Sequence, residues 1–133
     1  GCRGCHNGGR IWQEMNTVAH LNAAFGARAG RDLFTKDTIL TKDDQRINLN
    51  IKNAIIIRSA DSTKALQEVV LAAKAKGLEV DEFTREMFET TNDKKITEIT
   101  ASKSFEEIEY LGVLVYGPKE TMEEMTKNFP LFG

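Results

Sequence analysis

Four uncharged hydrogen-bonding residues share one stripe of a helix predicted over residues 11–26. At about 100° per residue, the stripe contains Gln13, Asn16, Thr17 and His20. Solvent-facing helix surfaces usually carry Lys, Glu and Arg, whereas this stripe carries groups that orient a ligand. His20 is the candidate general base or hydrogen-bond donor, and Gln13 and Asn16 complete the predicted catalytic set.

The opposite side of the same helix is apolar and is predicted to face the core. Its members are Trp12, Met15, Val18, Ala19 and Phe25. Gly26 is predicted to end the helix, because glycine adopts positive φ at little cost. The polar stripe also has a plainer interpretation, in which its side chains satisfy buried backbone groups or lie in a dimer contact.

The middle of the chain predicts a strand, a helix and a second strand. Residues 53–60 contain Ile55-Ile56-Ile57, a β-branched run typical of a strand covered on both faces. Asp61 or Ser62 then caps a helix that continues through Lys76. Gly77 ends that helix, and Leu78–Phe83 forms the next strand. Two strands joined by a helix predict a parallel β-α-β unit with a right-handed crossover.

The remaining elements follow in alternation. Thr84 is predicted to cap a short helix, Arg85–Glu89, and Lys94–Ala101 is ambiguous and compatible with an edge strand. Glu109–Tyr116 is a predicted strand, and Lys119–Asn128 a final helix. Residues 27–52 are polar and irregular, with a turn at Lys42-Asp43-Asp44-Gln45. Strands alternating with helices predict an α/β layer fold with a small mixed sheet.

Composition limits the classes of function. The chain has 133 residues, the size of one domain, and a net charge of −2. Residues 1–60 hold nine basic against five acidic residues, so an anionic partner would contact this half. The excess supports nucleic-acid binding only weakly. No apolar run is long enough to span a bilayer and no signal peptide is visible, so we expect a cytoplasmic protein without membrane contact.

The start of the chain carries a cysteine motif. Cys2-Arg3-Gly4-Cys5-His6 matches the C-x-x-C-H pattern of haem c attachment, and the same side chains could ligate zinc, although a fourth ligand of suitable spacing is missing. Residues 1–10 contain four glycines and no periodicity, so a tail with two free thiols is the main expectation. We therefore expect no cofactor and no metal. Sequence signatures of P-loop, dinucleotide-binding, nucleophile-elbow and H-E-x-x-H proteins are absent.

Several blocks together resemble a known family. Trp12-Gln13, Asn16 and Ala19-His20-Leu21 resemble the W-Q-x-x-N-x-x-A-H-L signature of a domain family of unknown function that is similar to the type II peptidyl-tRNA hydrolases. Residues 83–90 resemble its F-T-x-x-M-F-x-T segment, and residues 111–119 resemble its last strand and the following G-P. The resemblance implies a three-layer α/β/α fold with a mixed sheet of about four strands, as in the type II peptidyl-tRNA hydrolases.

The same resemblance implies a division of the chain into a tail and one domain, and it suggests what the protein could bind. Residues 11–133 form one α/β domain, and residues 1–10 are a tail or an altered first strand. The first hypothesis is a small-molecule or acyl-ester ligand in a polar pocket. The further ligand-binding candidates are Trp12, Thr17, Thr84, Thr90 and Gly117. The alternatives are a peptidyl-tRNA hydrolase that binds tRNA through its basic half, and a non-enzymatic module that forms homodimers through an exposed sheet edge.

Overall fold

The first helix is longer than the sequence predicts. A computed structural model describes the backbone of residues 7–35 and 38–132, and side chains from residue 11 onward. Helix α1 spans Asn7–Ala29, so it begins before residue 11 and passes through Gly26. A 3₁₀ turn, Gly30–Leu33, follows, and it is Gly30, with φ of 58°, that takes the positive-φ conformation. The cysteine motif lies outside the described residues.

The orientation predicted for α1 is wrong. Trp12 and Met15 are exposed to 60% and 64%, although they were expected to face the core. Phe25 of the same predicted face is buried as expected, but it is buried together with Leu21 and with Thr17, which was placed on the polar stripe. The buried stripe therefore runs through positions 17, 21 and 25, which share one face at helical spacing. Thr17 can be buried among apolar residues because its hydroxyl donates to the Gln13 carbonyl at 2.7 Å, so the hydroxyl keeps a hydrogen bond.

Residues 38–48 form a hairpin that the sequence did not predict. Strands β1, Thr38–Leu40, and β2, Arg46–Asn48, pair antiparallel, with Ile39 opposite Ile47. The predicted turn at 42–45 is confirmed, and Asp44 adopts a φ of 63° within it. The hairpin stands apart from the second sheet, so its apolar side chains remain partly exposed.

The following helix matches its prediction. Helix α2 spans Thr63–Ala75, and the Ser62 hydroxyl accepts a hydrogen bond from the Ala65 N–H at 3.2 Å. Gly77, with φ of 70°, ends it as predicted. Val70 is fully buried, and the core around it includes Ile108 and Tyr110.

The second sheet contains strands β3, Glu79–Thr84, and β4, Tyr110–Tyr116. They pair antiparallel, from Glu79 opposite Tyr116 to Thr84 opposite Tyr110. The register shifts near Thr84, which leaves Leu111 as a bulged residue. In the described part of the chain the strands thus form two separate antiparallel pairs, where one mixed sheet of about four strands was expected.

The isoleucine run is not a central strand. Ile55, Ile56 and Ile57 are partly to largely exposed, and only Arg58 just beyond them forms a β-bridge, to Leu131. No strand of the described chain therefore pairs parallel with β3, and the predicted parallel β-α-β unit is not formed.

Three helices complete the described chain. Helix α3 spans Arg85–Glu89 and α4 spans Asp93–Ala101, where an edge strand was considered. Asn92 explains the helix: its side-chain oxygen accepts from the Lys95 N–H at 3.1 Å, which is an N-cap rather than a plain turn. A 3₁₀ turn, Phe105–Glu107, precedes β4, and α5 spans Lys119–Thr126, slightly shorter than predicted.

Neighbouring residues of β3 make contacts with different helices, some with α1 and some with α2. Asp81 and Phe83 contact Arg28 and His20 of α1. Val80, the residue before Asp81, packs with the core around Val70 of α2, and Glu82, between Asp81 and Phe83, meets Lys74 of α2 at 3.6 Å. Because successive strand residues point to opposite faces, residues that contact α1 alternate along β3 with residues that pack towards α2.

Candidate functional site

The start of α3 places an arginine beside the first helix. Thr84, buried at the end of β3, accepts a hydrogen bond from the Met87 N–H at 3.4 Å and so caps α3 as predicted. This cap puts Arg85 in the first turn of α3. The Arg85 guanidinium binds Glu109 in a two-pronged ion pair, with Nε to Oε2 at 2.9 Å and Nη2 to Oε1 at 3.3 Å.

The same arginine contacts one member of the predicted polar stripe. Arg85 Nη1 donates to Gln13 Oε1 at 3.4 Å, near the upper limit for a hydrogen bond. Glu109 therefore holds the Arg85 guanidinium in place. The Nη1 group of Arg85 makes only the weak contact with Gln13.

Two aromatic rings border this arginine. The guanidinium carbon lies 5.7 Å from the centre of the Phe88 ring, within the range of a cation–π contact. Trp12 meets Phe88 edge-on, with ring centres 5.5 Å apart. We call the patch made by Gln13, Arg85, Trp12 and Phe88 the Arg85 surface. It combines hydrogen-bond donors with exposed aromatic area.

A second ion pair lies one residue further along α3. Glu86 is 5% exposed, and its Oε1 accepts from Lys103 Nζ at 2.5 Å. Lys103 holds the pKa of the Glu86 carboxyl below its usual value, against the opposing effect of burial. Glu86 Oε2 is buried with no hydrogen-bond partner among the described residues. In the same way, the Arg85 guanidinium lowers the pKa of the Glu109 carboxyl.

The predicted stripe does not act as one polar face. Thr17 is buried against β4 and Gln13 reaches α3, whereas His20 is exposed and stacks on Phe83 with ring centres 4.8 Å apart. Asn16 is half-buried, about one helical turn from Gln13. The structure thus brings Trp12 and Gln13 together with Arg85 and places His20 against a different aromatic ring.

The other predicted ligand contacts have structural surroundings. Thr84 is occupied as the helix cap, and the Thr90 hydroxyl accepts from the Asn92 N–H at 3.1 Å. Gly117 lies under Leu78, whose Cδ2 would be 2.5 Å from an added Cβ. A side chain at this position would require Leu78 to shift.

Sequence reasoning missed the charged members of this region: Arg85, Glu86, Lys103 and Glu109. A local signal existed for two of them, since a capping threonine immediately before Arg85 and Glu86 fixes both in the first helical turn. No local pattern could join them to Glu109 and Lys103, which are brought close by the β3–β4 pairing and by the turn after α4.

The described residues contain no group of three or more His, Cys, Asp and Glu side chains arranged to hold a metal ion. An open surface cavity of about 450 Å³ is lined by residues at the end of α1 and by the β2 region, including Arg31, Phe34 and Asn48. None of the predicted site residues lines it. Among the helices of the described ranges, none combines the length and hydrophobicity needed to cross a membrane.

Comparison with known proteins gives a family and a fold. A solved structure titled as a protein of unknown function, Atu0240, from Agrobacterium tumefaciens strain C58 is similar, with a TM-score of 0.77 and 18% sequence identity. The alignment covers 92% of this chain and 89% of that one. No curated protein matches the chain. The family described as "Protein of unknown function (DUF2000)" matches residues 8–132. This range includes both sheets and all the helices described above, except for Asn7, the first residue of α1. The chain therefore belongs to the DUF2000 family.

Proposed function

We propose that this protein binds a small acyl or ester ligand at the Arg85 surface. The observation that carries the proposal is the asymmetric bonding of Arg85. Glu109 holds one side of the guanidinium through two charged contacts, at 2.9 and 3.3 Å, whereas Nη1 makes a single contact, at 3.4 Å, with the uncharged Gln13 oxygen. A fixed guanidinium with a weakly engaged N–H group is well suited to receive a carbonyl oxygen.

Each neighbour has a part in this binding. The amide N–H₂ of Gln13 supplies a second donor to the carbonyl oxygen once the side chain turns from Arg85. Trp12 and Phe88 contact the acyl chain, since they provide rigid apolar area beside the donors. Asn16 extends the polar part of the site along α1, whereas His20 lies about two helical turns from Gln13, against Phe83. Thr17 and Thr84 support this region by packing and capping, and Thr90 follows at the end of α3, whereas Gly117 lies at the opposite end of β4.

Ester hydrolysis is the narrower form of the proposal. His20 is exposed and has one ring face on Phe83, which leaves its nitrogen atoms at the edge for a water molecule. Contacts of α1 and α2 with alternate residues of β3 support a three-layer arrangement like that of the type II peptidyl-tRNA hydrolases. A peptidyl-tRNA ester is then the substrate to assay.

Tryptophan fluorescence tests the binding proposal directly, because Trp12 is the single tryptophan. We expect N-acetyl-alanine methyl ester to change the emission in a saturable manner. Arg85→Gln should weaken binding by about tenfold or more, since a hydrogen bond to a charged group contributes roughly 1.5–3 kcal/mol. Arg28→Gln is the matched control, because Arg28 also binds a carboxylate, Asp81, but lies at the far end of α1.

Two results would contradict the proposal. One is an emission that does not change at any ester concentration, and the other is equal affinity in wild type and Arg85→Gln. Hydrolysis is scored separately, by release of methanol from the same ester and of N-acetyl-amino acid from an N-acetyl-aminoacyl-tRNA. His20→Ala should remove hydrolysis while binding persists, and hydrolysis unchanged in this variant would exclude His20 as the base.

Self-association is a second candidate, and the exposed apolar side chains of α1 favour it. Trp12 and Met15 project from the helix on the side away from the sheet. Such side chains are common in homodimer contacts. Sedimentation velocity over a range of concentrations checks this. We expect Met15→Lys to dissociate any dimer, and a monomer at all concentrations would exclude this module.

A further inference from the structure

Three residues of α3 share the side of the helix that borders the Arg85 surface. Arg85, Phe88 and Glu89 stand at positions i, i+3 and i+4, which makes their side chains neighbours on a helix. The Arg85 guanidinium lies over the Phe88 ring, and Phe88 in turn meets Trp12 of α1. Glu89 therefore lies at the border of the Arg85 surface, one helical turn after the arginine.

The charges around this surface do not balance. Glu109 compensates Arg85 through the two contacts described above, and Lys103 compensates Glu86. Glu89 is exposed, and no side chain among residues 11–35 and 38–132 forms an ion pair or hydrogen bond with its carboxylate. After the hydrogen bond to Glu109, the Glu89 charge also raises the pKa of Arg85, so it acts at the guanidinium. Of these five charges, the one on Glu89 is left uncompensated.

This excess negative charge selects against an anionic ligand. A carboxylate or phosphate that accepted from Arg85 Nη1 would compete with Glu109 for one guanidinium and would be repelled by Glu89. A neutral carbonyl oxygen avoids both costs. A positive charge next to that carbonyl gains the attraction of Glu89, and the exposed ring of Trp12 also attracts cations.

We propose that the ligand of the Arg85 surface is an ester with a protonated amino group beside its carbonyl, and that Glu89 binds this ammonium group. The inference rests on the proposed function and names the class of its ligand. The carbonyl oxygen accepts from Arg85 Nη1, and the ammonium group donates to the Glu89 carboxylate. An α-amino ester carries the two groups on neighbouring carbon atoms, so one small molecule can contact side chains of adjacent helical turns.

This assignment separates two kinds of ester. In an N-acyl-aminoacyl ester, such as that of a peptidyl-tRNA, an uncharged amide takes the place of the ammonium group. Glu89 therefore favours an aminoacyl ester over its N-acylated form, and it is the residue that determines this specificity.

Titration of Trp12 emission with three methyl esters at about pH 6, where an α-amino group is protonated, tests the inference. Alanine methyl ester is cationic, N-acetyl-alanine methyl ester is neutral, and the monomethyl ester of malonic acid is anionic. We expect alanine methyl ester to bind about fivefold more tightly than the N-acetyl ester, as for one exposed charge pair, and the malonate ester to bind least. Added salt should reduce this preference, because it screens exposed charges.

The Glu89→Gln variant isolates the side chain responsible. The ratio of the affinities for the alanine and N-acetyl esters should fall from about five to about one, because the charge that distinguishes them is removed. Glu68→Gln is the matched control, since Glu68 is also an exposed helical glutamate but lies on α2, and it should keep the wild-type ratio.

The outcomes separate this inference from the proposed function. A ratio near one in the wild type, with Arg85-dependent binding of the N-acetyl ester, would overturn the inference and leave the proposed function standing. Tightest binding of the malonate ester, or a ratio that Glu89→Gln does not change, would also overturn it. An emission that responds to none of the three esters would overturn both.

Discussion

Gly112 of β4 lies directly under the methyl group of Thr17 of α1, so a Cβ at position 112 would overlap that methyl group. It would also lie 3.1 Å from Leu21 Cδ1. The absence of a side chain at Gly112 is what lets the middle of α1 approach the sheet. This pair therefore sets which stripe of the helix is buried.

We expect Gly112→Ala to destabilise the fold by about 1–3 kcal/mol, the usual cost of overpacking a core. Adding Thr17→Ser should restore much of the loss, because serine lacks the methyl group but keeps a hydroxyl for the Gln13 carbonyl. Urea unfolding measures both variants. Gly26→Ala is the control, since nothing lies within 4 Å of its added Cβ, and it should stabilise the helix by about 0.5–1 kcal/mol.

Local signals in the sequence predicted local structure well. Ser62 and Thr84 cap their helices, and Gly77 ends α2, because these roles depend only on neighbouring backbone groups. The predicted strand over 109–116 is confirmed by β4 within one residue.

Features that depend on distant contacts were predicted poorly. Helical periodicity is compatible with burial of either of two stripes of α1. The stripe with Thr17 is buried because it packs on Gly112, which is almost a hundred residues away in the sequence. The isoleucine run has the composition of a central strand, but composition cannot supply the neighbouring strand. Around Arg85, Trp12 and Gln13 were predicted from the sequence as site residues, and that role stays a prediction. The contacts of Arg85 with Gln13 and Glu109 depend on the β3–β4 register, which the sequence did not give.

Gln67 closes the end of the 3₁₀ turn before β4, and its loss should be costly. Its buried Nε2 lies 3.3, 3.2 and 2.8 Å from the carbonyl oxygens of Phe105, Glu106 and Ile108. Gln67→Met keeps the volume but removes the amide donor. The Phe105 carbonyl keeps the Ile108 N–H at 3.2 Å and the Ile108 carbonyl keeps only the long Thr63 contact at 3.5 Å, so we expect a loss of about 1–3 kcal/mol in unfolding free energy. Gln45→Met, in the exposed hairpin turn, is the control for the substitution itself. Equal stability of wild type and Gln67→Met would show that water replaces the amide.

The Glu86–Lys103 pair predicts a pH dependence of stability. Because Lys103 lowers the pKa of Glu86 in the folded state, the unfolded chain binds more protons below the ordinary value of 4.5. The stabilisation is therefore present above that pH and is lost as the pH falls towards the folded pKa. Lys103→Met should destabilise the protein at neutral pH, and its difference from wild type should shrink on acidification.

Unfolding by urea at several pH values between neutrality and about pH 3 measures this difference. Lys119→Met is the matched control, because Lys119 meets Glu123 at 3.9 Å on an exposed helix surface and exposed pairs contribute little. The difference in unfolding free energy between Lys103→Met and wild type could instead stay constant as the pH falls. That result would show that protonation of Glu86 does not weaken its ion pair with Lys103.

Trp12 and Phe25 separate the observed orientation of α1 from the one that periodicity predicts. Periodicity places both on one buried face, whereas the structure exposes Trp12 and buries Phe25 against Tyr116, with ring centres 4.9 Å apart. Phe25→Ala should cost about 3–5 kcal/mol, as for other buried aromatic residues. Trp12→Ala should cost less than about 1 kcal/mol, because it removes only a partial contact with Phe88. Circular dichroism during urea unfolding measures the stability of the two variants.

Acrylamide quenching of the wild-type emission checks the exposure of Trp12 separately, and it should be nearly as efficient as for free tryptophan. A large loss of unfolding free energy in Trp12→Ala with a small loss in Phe25→Ala would mean that α1 packs through its other face.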